Sequence, residues 1–233
     1  MKIAGSTVLV TGANRGIGLA FTKAFLARGA RKVYAGARDP SSVTLDGVVP
    51  LKLDVTSPED VEAAAREAGD VTIVVNNAGI AATGNLLDPN AESSLRSHLE
   101  TNVFGVLRVS QAFAPVLARH GGGGLLNVAS IGSWFTTPML ANYAVSKAAV
   151  WSLSNGLRHD LRAQGTQVMT LHMAFVDTDL TRGIDAPKST PEEIVAYALD
   201  QFEAGAEEAL ADDLTRQVHR GLSAVPAVYL TAR

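Results

Sequence analysis

The sequence predicts a doubly wound α/β fold: a parallel sheet of six to seven strands with helices on both faces. Short apolar, β-branched runs alternate with helical patterns over most of the 233 residues. Such alternation implies parallel strands joined by right-handed crossovers. Several runs, among them Val8-Leu9-Val10 and Ile73-Val74-Val75, are apolar at nearly every position, as strands covered on both faces should be.

Taken in order, strands are expected at residues 7–10, 32–37, 49–53, 71–76, 125–129 and 167–173, with helices at 18–28, 58–68, 91–119 and 142–162. Ser57-Pro58-Glu59-Asp60 supplies an N-cap, a first-turn proline and first-turn acids. Ser189-Thr190-Pro191-Glu192-Glu193 repeats that grammar and predicts a helix to about Phe202, and a last helix is expected over about 207–222. The glycines at 121–124 end the long helix and make the turn into the fifth strand. With no internal repeat, linker or composition break, the chain reads as one domain over 1–233, its cofactor half about 1–120 and its catalytic and substrate elements about 121–233.

Composition bounds the function. Hydrophobic residues at 47% and charged residues at 18% describe a chain that buries a core. Twenty basic and 23 acidic side chains leave a net charge of −3, which gives no electrostatic reason to expect nucleic acid or an anionic membrane as partner. The absence of cysteine excludes disulfides, thiolate nucleophiles and cysteine-held metals. Residues 1–6 lack the pattern of a signal peptide, and no run reaches the ~18–20 apolar residues of a membrane span, so a cytoplasmic location is expected. The five histidines (98, 120, 159, 172, 219) match no metal-ligand spacing, and no metal is expected.

Thr11-Gly12-Ala13-Asn14-Arg15-Gly16-Ile17-Gly18 follows the first strand and opens a helix. Glycines there let the backbone approach a pyrophosphate, and the helix start offers free N–H groups and a positive dipole end. A glycine turn alone is weak evidence, but the strand-turn-helix context makes it a dinucleotide site of the Rossmann type.

The Gly-x-x-x-Gly-x-Gly spacing resembles the short-chain dehydrogenase/reductase pattern, and the resemblance extends over nearly the whole chain. Asp54-Val55 follows the third strand, Asn76-Asn77-Ala78-Gly79 the fourth, Asn102 lies within the long helix, Ser130 follows the fifth strand, and Tyr143-Ala-Val-Ser-Lys147 comes after it. The resemblance implies NADP(H) held by Gly12, Asn14, Arg15, Gly16, Ile17 and Gly18. Asp54 and Val55 then flank the adenine, and Asn77, Ala78 and Gly79 line the neighbouring ribose. Val176 and Thr178 are implied beside the carboxamide.

Preference for the phosphorylated cofactor rests on charge. An NAD enzyme commonly ends the second strand with an acid for the free ribose hydroxyls. Here Arg38 matches the family's phosphate-binding arginine, and Arg15 matches the basic residue that NADP-dependent members carry before the second glycine. Asp39 competes with this reading, because one slipped position would restore an acid near the ribose.

Hydride addition to a carbonyl leaves an alkoxide that needs a proton, so a catalyst must hold an acid near that oxygen. Tyrosine, of ordinary pKa ~10, suits this if a nearby cation favours its ionised form. Tyr143 and Lys147 are four apart in a helical pattern and share one face. The resemblance gives Tyr143 the acid's part and Lys147 a lowered Tyr143 pKa together with the nicotinamide ribose. It makes Ser130 the group that polarises the carbonyl, and Asn102 the holder of a water that links Lys147 to solvent. Where the family has Pro-Gly after the sixth strand this chain has Met173-Ala174, followed by the retained Thr178.

By the same resemblance the substrate sits among 132–135, 138–140 and 175–184, where Trp134, Phe135, Met139, Leu140 and Phe175 would make an apolar site for an aryl or alkyl ketone. The implied activity is reversible NADPH-dependent reduction of a small-molecule ketone or aldehyde, by a homodimer or homotetramer. Two other classes remain: a cofactor-independent lyase like the halohydrin dehalogenases, against which Lys147 in place of arginine argues, and a non-catalytic dinucleotide sensor, which typically lacks the tyrosine–lysine pair.

Overall fold

The computed structural model describes residues 1–231. Its sheet has seven strands among those residues: β1 (Thr7–Thr11), β2 (Lys32–Ala37), β3 (Val49–Lys52), β4 (Ile73–Asn76), β5 (Gly124–Val128), β6 (Gln167–His172) and β7 (Glu208–Leu210). They run parallel in the order β3-β2-β1-β4-β5-β6-β7. The order reverses between β1 and β4, and a crevice at the carboxyl ends of strands beside such a switch point is where open α/β sheets bind ligands.

Alternate side chains of each strand feed two apolar layers. Val8, Val10, Ile73, Val75, Leu126 and Met169 pack with Phe21, Phe25, Ile194 and Phe202 of α1 (Gly16–Ala27) and α6 (Pro191–Glu203). Leu9, Val74, Leu125 and Val168 pack on the other face. Their partners are Val61, Val109, Phe113 and Leu157, from α2 (Pro58–Glu67), α4 (Gly105–Arg119) and α5 (Ala141–Asp160). The period of two sends neighbours to opposite faces, so continuous apolar runs are what this sheet requires.

The caps read from sequence are formed. Ser57 Oγ accepts from Asp60 N at 3.1 Å, and Thr190 and Glu193 make a reciprocal capping box. Gly121, Gly122 and Gly123 all take positive φ between α4 and β5. A Cβ on Gly122 would meet the Gly165 carbonyl at 2.5 Å, so this run is a turn between packed backbones.

Two expectations are corrected. The helix foreseen over 91–119 is three pieces: α3 (Ala91–Leu99), a π-helical turn (Glu100–Phe104) and α4. The last helix foreseen over 207–222 begins instead as strand β7, whose Ala209 pairs with Leu171, and resumes as α7 (Asp213–Arg220). Strand pairing wins over three residues there because the open edge of β6 offers partners that a first helical turn would leave unused. A short α8 (Val228–Thr231) follows. No helix among the described residues is long and apolar enough to cross a membrane.

Candidate active site

The glycine turn is built for close approach. Gly12 and Gly16 have φ of +66° and +53°, a region that favours glycine. A Cβ on Gly18 would lie 2.1 Å from the Gly12 carbonyl oxygen, so α1 can rest against the turn only with glycine there. Arg15 stands at the N-cap of α1 without a side-chain cap, and the first turn holds no acid. Its opening N–H groups are therefore directed at the crevice with the positive end of the dipole. An uncapped helix start above a glycine-rich turn fits a pyrophosphate.

Strand ends brace that turn. Thr11 Oγ1 accepts from Asn77 N at 3.0 Å and Ala78 N at 2.9 Å, and Asn77 Nδ2 donates to the Thr11 and Gly12 carbonyls at 2.9 and 3.2 Å. Asn77 thus stitches the end of β4 to the phosphate turn of β1. Asn76 lies deeper, donating to Asn127 Oδ1 at 2.9 Å and Ser110 Oγ at 3.2 Å, so it belongs to the sheet's interior. Gly79 packs against Asn102, where a Cβ would be 3.1 Å from Oδ1.

At the adenosine end Arg38 follows β2 directly and is exposed, its carbonyl accepting from Lys52 Nζ at 2.7 Å. Asp39 Oδ1 accepts from Ser41 Oγ at 2.7 Å and Ser41 N at 3.0 Å, bonds that lower its pKa and commit it to capping the short 3-10 turn Pro40–Ser42. Asn14 Nδ2 reaches Ser42 Oγ at 3.1 Å, closing this rim. Burial works against the Asp54 carboxylate, but Thr56 N and Oγ1 at 2.9 and 2.7 Å hold its pKa below the ordinary range. Val55 is buried and fills the space that a side chain on Gly105 would need. Arg15 reaches across to Asp179 at 3.3 Å, a pair with both side chains largely exposed.

The reacting centre lies at the carboxyl ends of β5 and β6. Ser130 leaves β5 with extended backbone, and its hydroxyl accepts from Gly132 N at 3.0 Å. Tyr143 lies beside Ser130: a Cβ on Gly132 would be 3.4 Å from Ser130 Oγ and 3.5 Å from the Tyr143 ring. Lys147, one turn along α5, is buried, its Nζ 5.6 Å from the Tyr143 ring centroid and donating to the Val128 carbonyl at 2.8 Å. Burial alone pulls its pKa down to about 8. The expected lowering of the tyrosine is not what this arrangement produces: burial raises the Tyr143 pKa, and the neighbouring Ser130 hydroxyl offsets it only in part. A phenol of raised pKa keeps its proton until an oxygen more basic than itself arrives.

Asn102 sits within the π-helical turn and is buried. Its Nδ2 donates to the Ile80 carbonyl at 3.0 Å and Ser146 Oγ at 2.9 Å, while Oδ1 accepts from Ile80 N at 2.8 Å. Both amide protons are used, so the side chain joins β4's exit to α5. Single π-turns of this kind interrupt the helical ladder at functional positions.

After β6 the chain must bend without the family's glycine. The Ala174 N–H donates to Asp212 Oδ2 at 2.7 Å, and the Met173 carbonyl accepts from Ile131 N at 2.8 Å. Asp212, which also caps α7 through Thr215 N at 2.8 Å, therefore replaces backbone freedom with a carboxylate anchor. Val176 is buried and bridged to Ser189, and Thr178 N donates to Thr181 Oγ1 at 3.3 Å.

Of the expected pocket residues, Met139 is exposed and Phe135, Leu140 and Phe175 are half-buried. Trp134, also half-buried, packs among other rings. Its ring stacks on His172 at 4.1 Å and meets His219 at 5.0 Å and Trp151 at 6.0 Å, inside a cluster of its own. The sequence reading passed over Asp212, Ser146, His98 and His172. His98 is buried, accepts from Ala82 N at 3.1 Å and packs edge-on to Tyr143 at 6.5 Å. Asp212-x-x-Thr215 was a readable cap, whereas the others carry no spacing signal.

A dinucleotide cradle and a tyrosine–lysine pair on one crevice define the class of dinucleotide-linked oxidoreductases. Comparison with known proteins narrows it: the family model for short chain dehydrogenase matches residues 6–189. The 3-oxoacyl-[acyl-carrier-protein] reductase FabG of Vibrio cholerae is 33% identical over 199 residues, covering 82% of this chain and 81% of that one. A short chain dehydrogenase from Burkholderia cenocepacia solved with NADP is 36% identical over all of both chains, with a TM-score of 0.93. The 3-ketoacyl-(acyl-carrier-protein) reductase from Brucella melitensis, solved with NADH, is 28% identical over 85% of this chain and 91% of that one, with a TM-score of 0.77. The chain belongs to the short-chain dehydrogenase/reductase family, whose members bind nicotinamide dinucleotides.

Proposed function

We propose that this protein is an NADPH-dependent reductase of ketones or aldehydes, working reversibly with Tyr143 as general acid. The observation that carries the reading is that the Ser130 hydroxyl and the Tyr143 ring both border Gly132, with Lys147 buried one turn along from the tyrosine. The bound nicotinamide supplies the hydride in reduction and takes it up in oxidation. Ser130 donates to the carbonyl oxygen and polarises it while Tyr143 passes its proton to the same oxygen as charge develops there. The Lys147 ammonium stabilises the phenolate left behind, and a pKa of about 8 lets it exchange its own proton near neutral pH. Water held by Asn102 would return that proton from solvent.

NADPH is favoured over NADH by the adenosine rim. Arg38 is free to meet a 2′-phosphate, while the competing Asp39 carboxylate is spent on Ser41. Arg15 would give up or share Asp179 to join it. The relatives named for 3-oxoacyl carriers and the apolar rim of Phe135, Met139, Leu140 and Phe175 recommend 3-oxoacyl thioesters beside aryl and alkyl ketones as substrates to try. We further read residues 1–233 as one domain, and the exposed Phe104 and Val145 along the long helices as the face of a homo-oligomer.

The test is NADPH oxidation against a panel of ketones, aldehydes, quinones and 3-oxoacyl thioesters. Turnover in the wild type, lost in Tyr143→Phe with NADPH affinity retained, is the expected result. Full turnover by Tyr143→Phe, or none by the wild type on any carbonyl, would overturn the reading.

A further inference from the structure

We infer that His172 is a positioning residue for the proposed reaction: through the Ser130 carbonyl it fixes the turn that presents the Ser130 hydroxyl. The inference rests on the reading of Ser130 given above and adds a residue to it. His172 is the last residue of β6 and has no exposed surface. Its Nδ1 lies 3.1 Å from the Ser130 carbonyl oxygen, and since a carbonyl can only accept, Nδ1 carries the proton.

That bond acts where the sheet register ends. The ladder between β5 and β6 runs on through Ala129 N to the Leu171 carbonyl and Ile131 N to the Met173 carbonyl, both at 2.8 Å. Between these two anchors the Ser130 carbonyl takes the Nδ1 proton of His172 and the Ser133 N–H at 3.0 Å. With that carbonyl plane held, the turn brings Gly132 N to 3.0 Å from Ser130 Oγ, whose own proton makes only a long 3.5 Å bond to the Met173 carbonyl that a substrate oxygen can replace. Ser130 is therefore aimed by the end of the neighbouring strand as well as by its own loop.

The ring has no other polar tie that explains it. Nε2 is buried without a hydrogen-bond partner, 3.8 Å from Glu208 Oε1, which is occupied by Trp151 Nε1 at 2.8 Å. Desolvation keeps the imidazole neutral, so Nδ1–H is retained as the single polar function. Trp134 stacked at 4.1 Å fixes the ring plane. A histidine serving only as packing would bury a polar edge without return; here one edge is used, and on a catalytic residue.

Two substitutions separate positioning from packing. His172→Phe keeps an aromatic ring against Trp134 and removes the donor; His172→Asn loses the stack and restores an N–H where Nδ1 stands. We expect kcat to fall about 10- to 100-fold in His172→Phe with NADPH Kd within about twofold, and to recover most of that loss in His172→Asn. The Tm should order the other way, Phe above Asn. Amide exchange over residues 130–135 should quicken in the Phe variant and return towards wild type in the Asn variant. Turnover that follows Tm, or exchange unchanged in His172→Phe, overturns the inference. If the wild type reduces no carbonyl, the functional reading falls, and the exchange arm still decides whether His172 holds the turn.

Discussion

The molecule contains two tyrosine–lysine pairs, at opposite ends of one sheet, and they behave differently. At the amino-terminal edge Lys32 Nζ donates to Tyr34 Oη at 3.2 Å and to Asp70 at 2.7 Å, with Tyr34 Oη donating to Asp70 at 3.0 Å. The Asp70 carboxylate, with help from Tyr34, raises the Lys32 pKa, so its proton is held more tightly than in water. At the carboxyl-terminal end Lys147 is buried beside Tyr143 with a backbone carbonyl for its partner, and desolvation brings its pKa to about 8. Both phenols are raised by burial. What separates the pairs is the lysine: one proton is locked by an acid, the other can move near neutral pH. Under the proposed mechanism, a tyrosine–lysine pair serves proton transfer only where no carboxylate claims the ammonium.

The largest test of that contrast is a matched pair of substitutions. Tyr143→Phe should lower kcat by about 10²- to 10⁴-fold, the usual worth of a general acid, while Tyr34→Phe leaves kcat unchanged. Stopped-flow NADPH oxidation would measure both, and a comparable loss in the two would erase the distinction. Next in size, Arg38→Asp should raise KM for NADPH by roughly 10- to 100-fold through loss of a charge-assisted phosphate contact and change that for NADH little. Equal changes for both cofactors would remove the NADPH assignment.

A stability test of Gly18→Ala follows. Its methyl group would overlap the Gly12 carbonyl, and overpacking of this kind costs about 1–3 kcal/mol or forces the turn apart. Chemical denaturation with and without NADPH should show lower stability and a smaller cofactor-induced gain. The two lysines should then differ in the sign of their pH dependence. Lys147 has a folded pKa below its ordinary 10.5, so between about pH 8 and 10.5 the unfolded chain binds a proton that the folded chain lacks. Its contribution to stability therefore rises with pH across that window. Lys32, raised by Asp70, contributes stability at lower pH that is lost as pH climbs through its folded pKa. Urea unfolding from pH 7.5 to 10 of wild type and Lys147→Met should show the wild type gaining on the variant. The smallest effect is expected of Asp70→Asn, a slight loss of Tm with unchanged kcat/KM, because a half-exposed pair of this kind contributes little.

Much of this was legible before any coordinates. The β2 bounds agree to the residue, and five other strands were located to within a residue or two, because a doubly covered strand leaves an unbroken apolar run. The caps at Ser57 and Thr190 were readable because they are local. The strand at 208–210 was not, since three residues carry no period and their pairing with β6 is decided 38 residues away. The break at Glu100–Phe104 was hidden for a related reason. A π-turn changes which carbonyl each N–H meets and leaves the hydrophobic pattern of the helix almost untouched.

The amino-acid sequence by itself determined the sheet, the glycine turn and the spacing of Tyr143 and Lys147, because each follows from short-range sterics and periodicity. Only the tertiary structure decided that Asp39 is tied to Ser41, that Asp212 anchors the bend at Ala174, that Trp134 lies in a ring cluster and that His172 grips Ser130. Except for Asp39, whose neighbours are local, these contacts join residues far apart in the chain. Their energies depend on burial and on partners that no local pattern encodes.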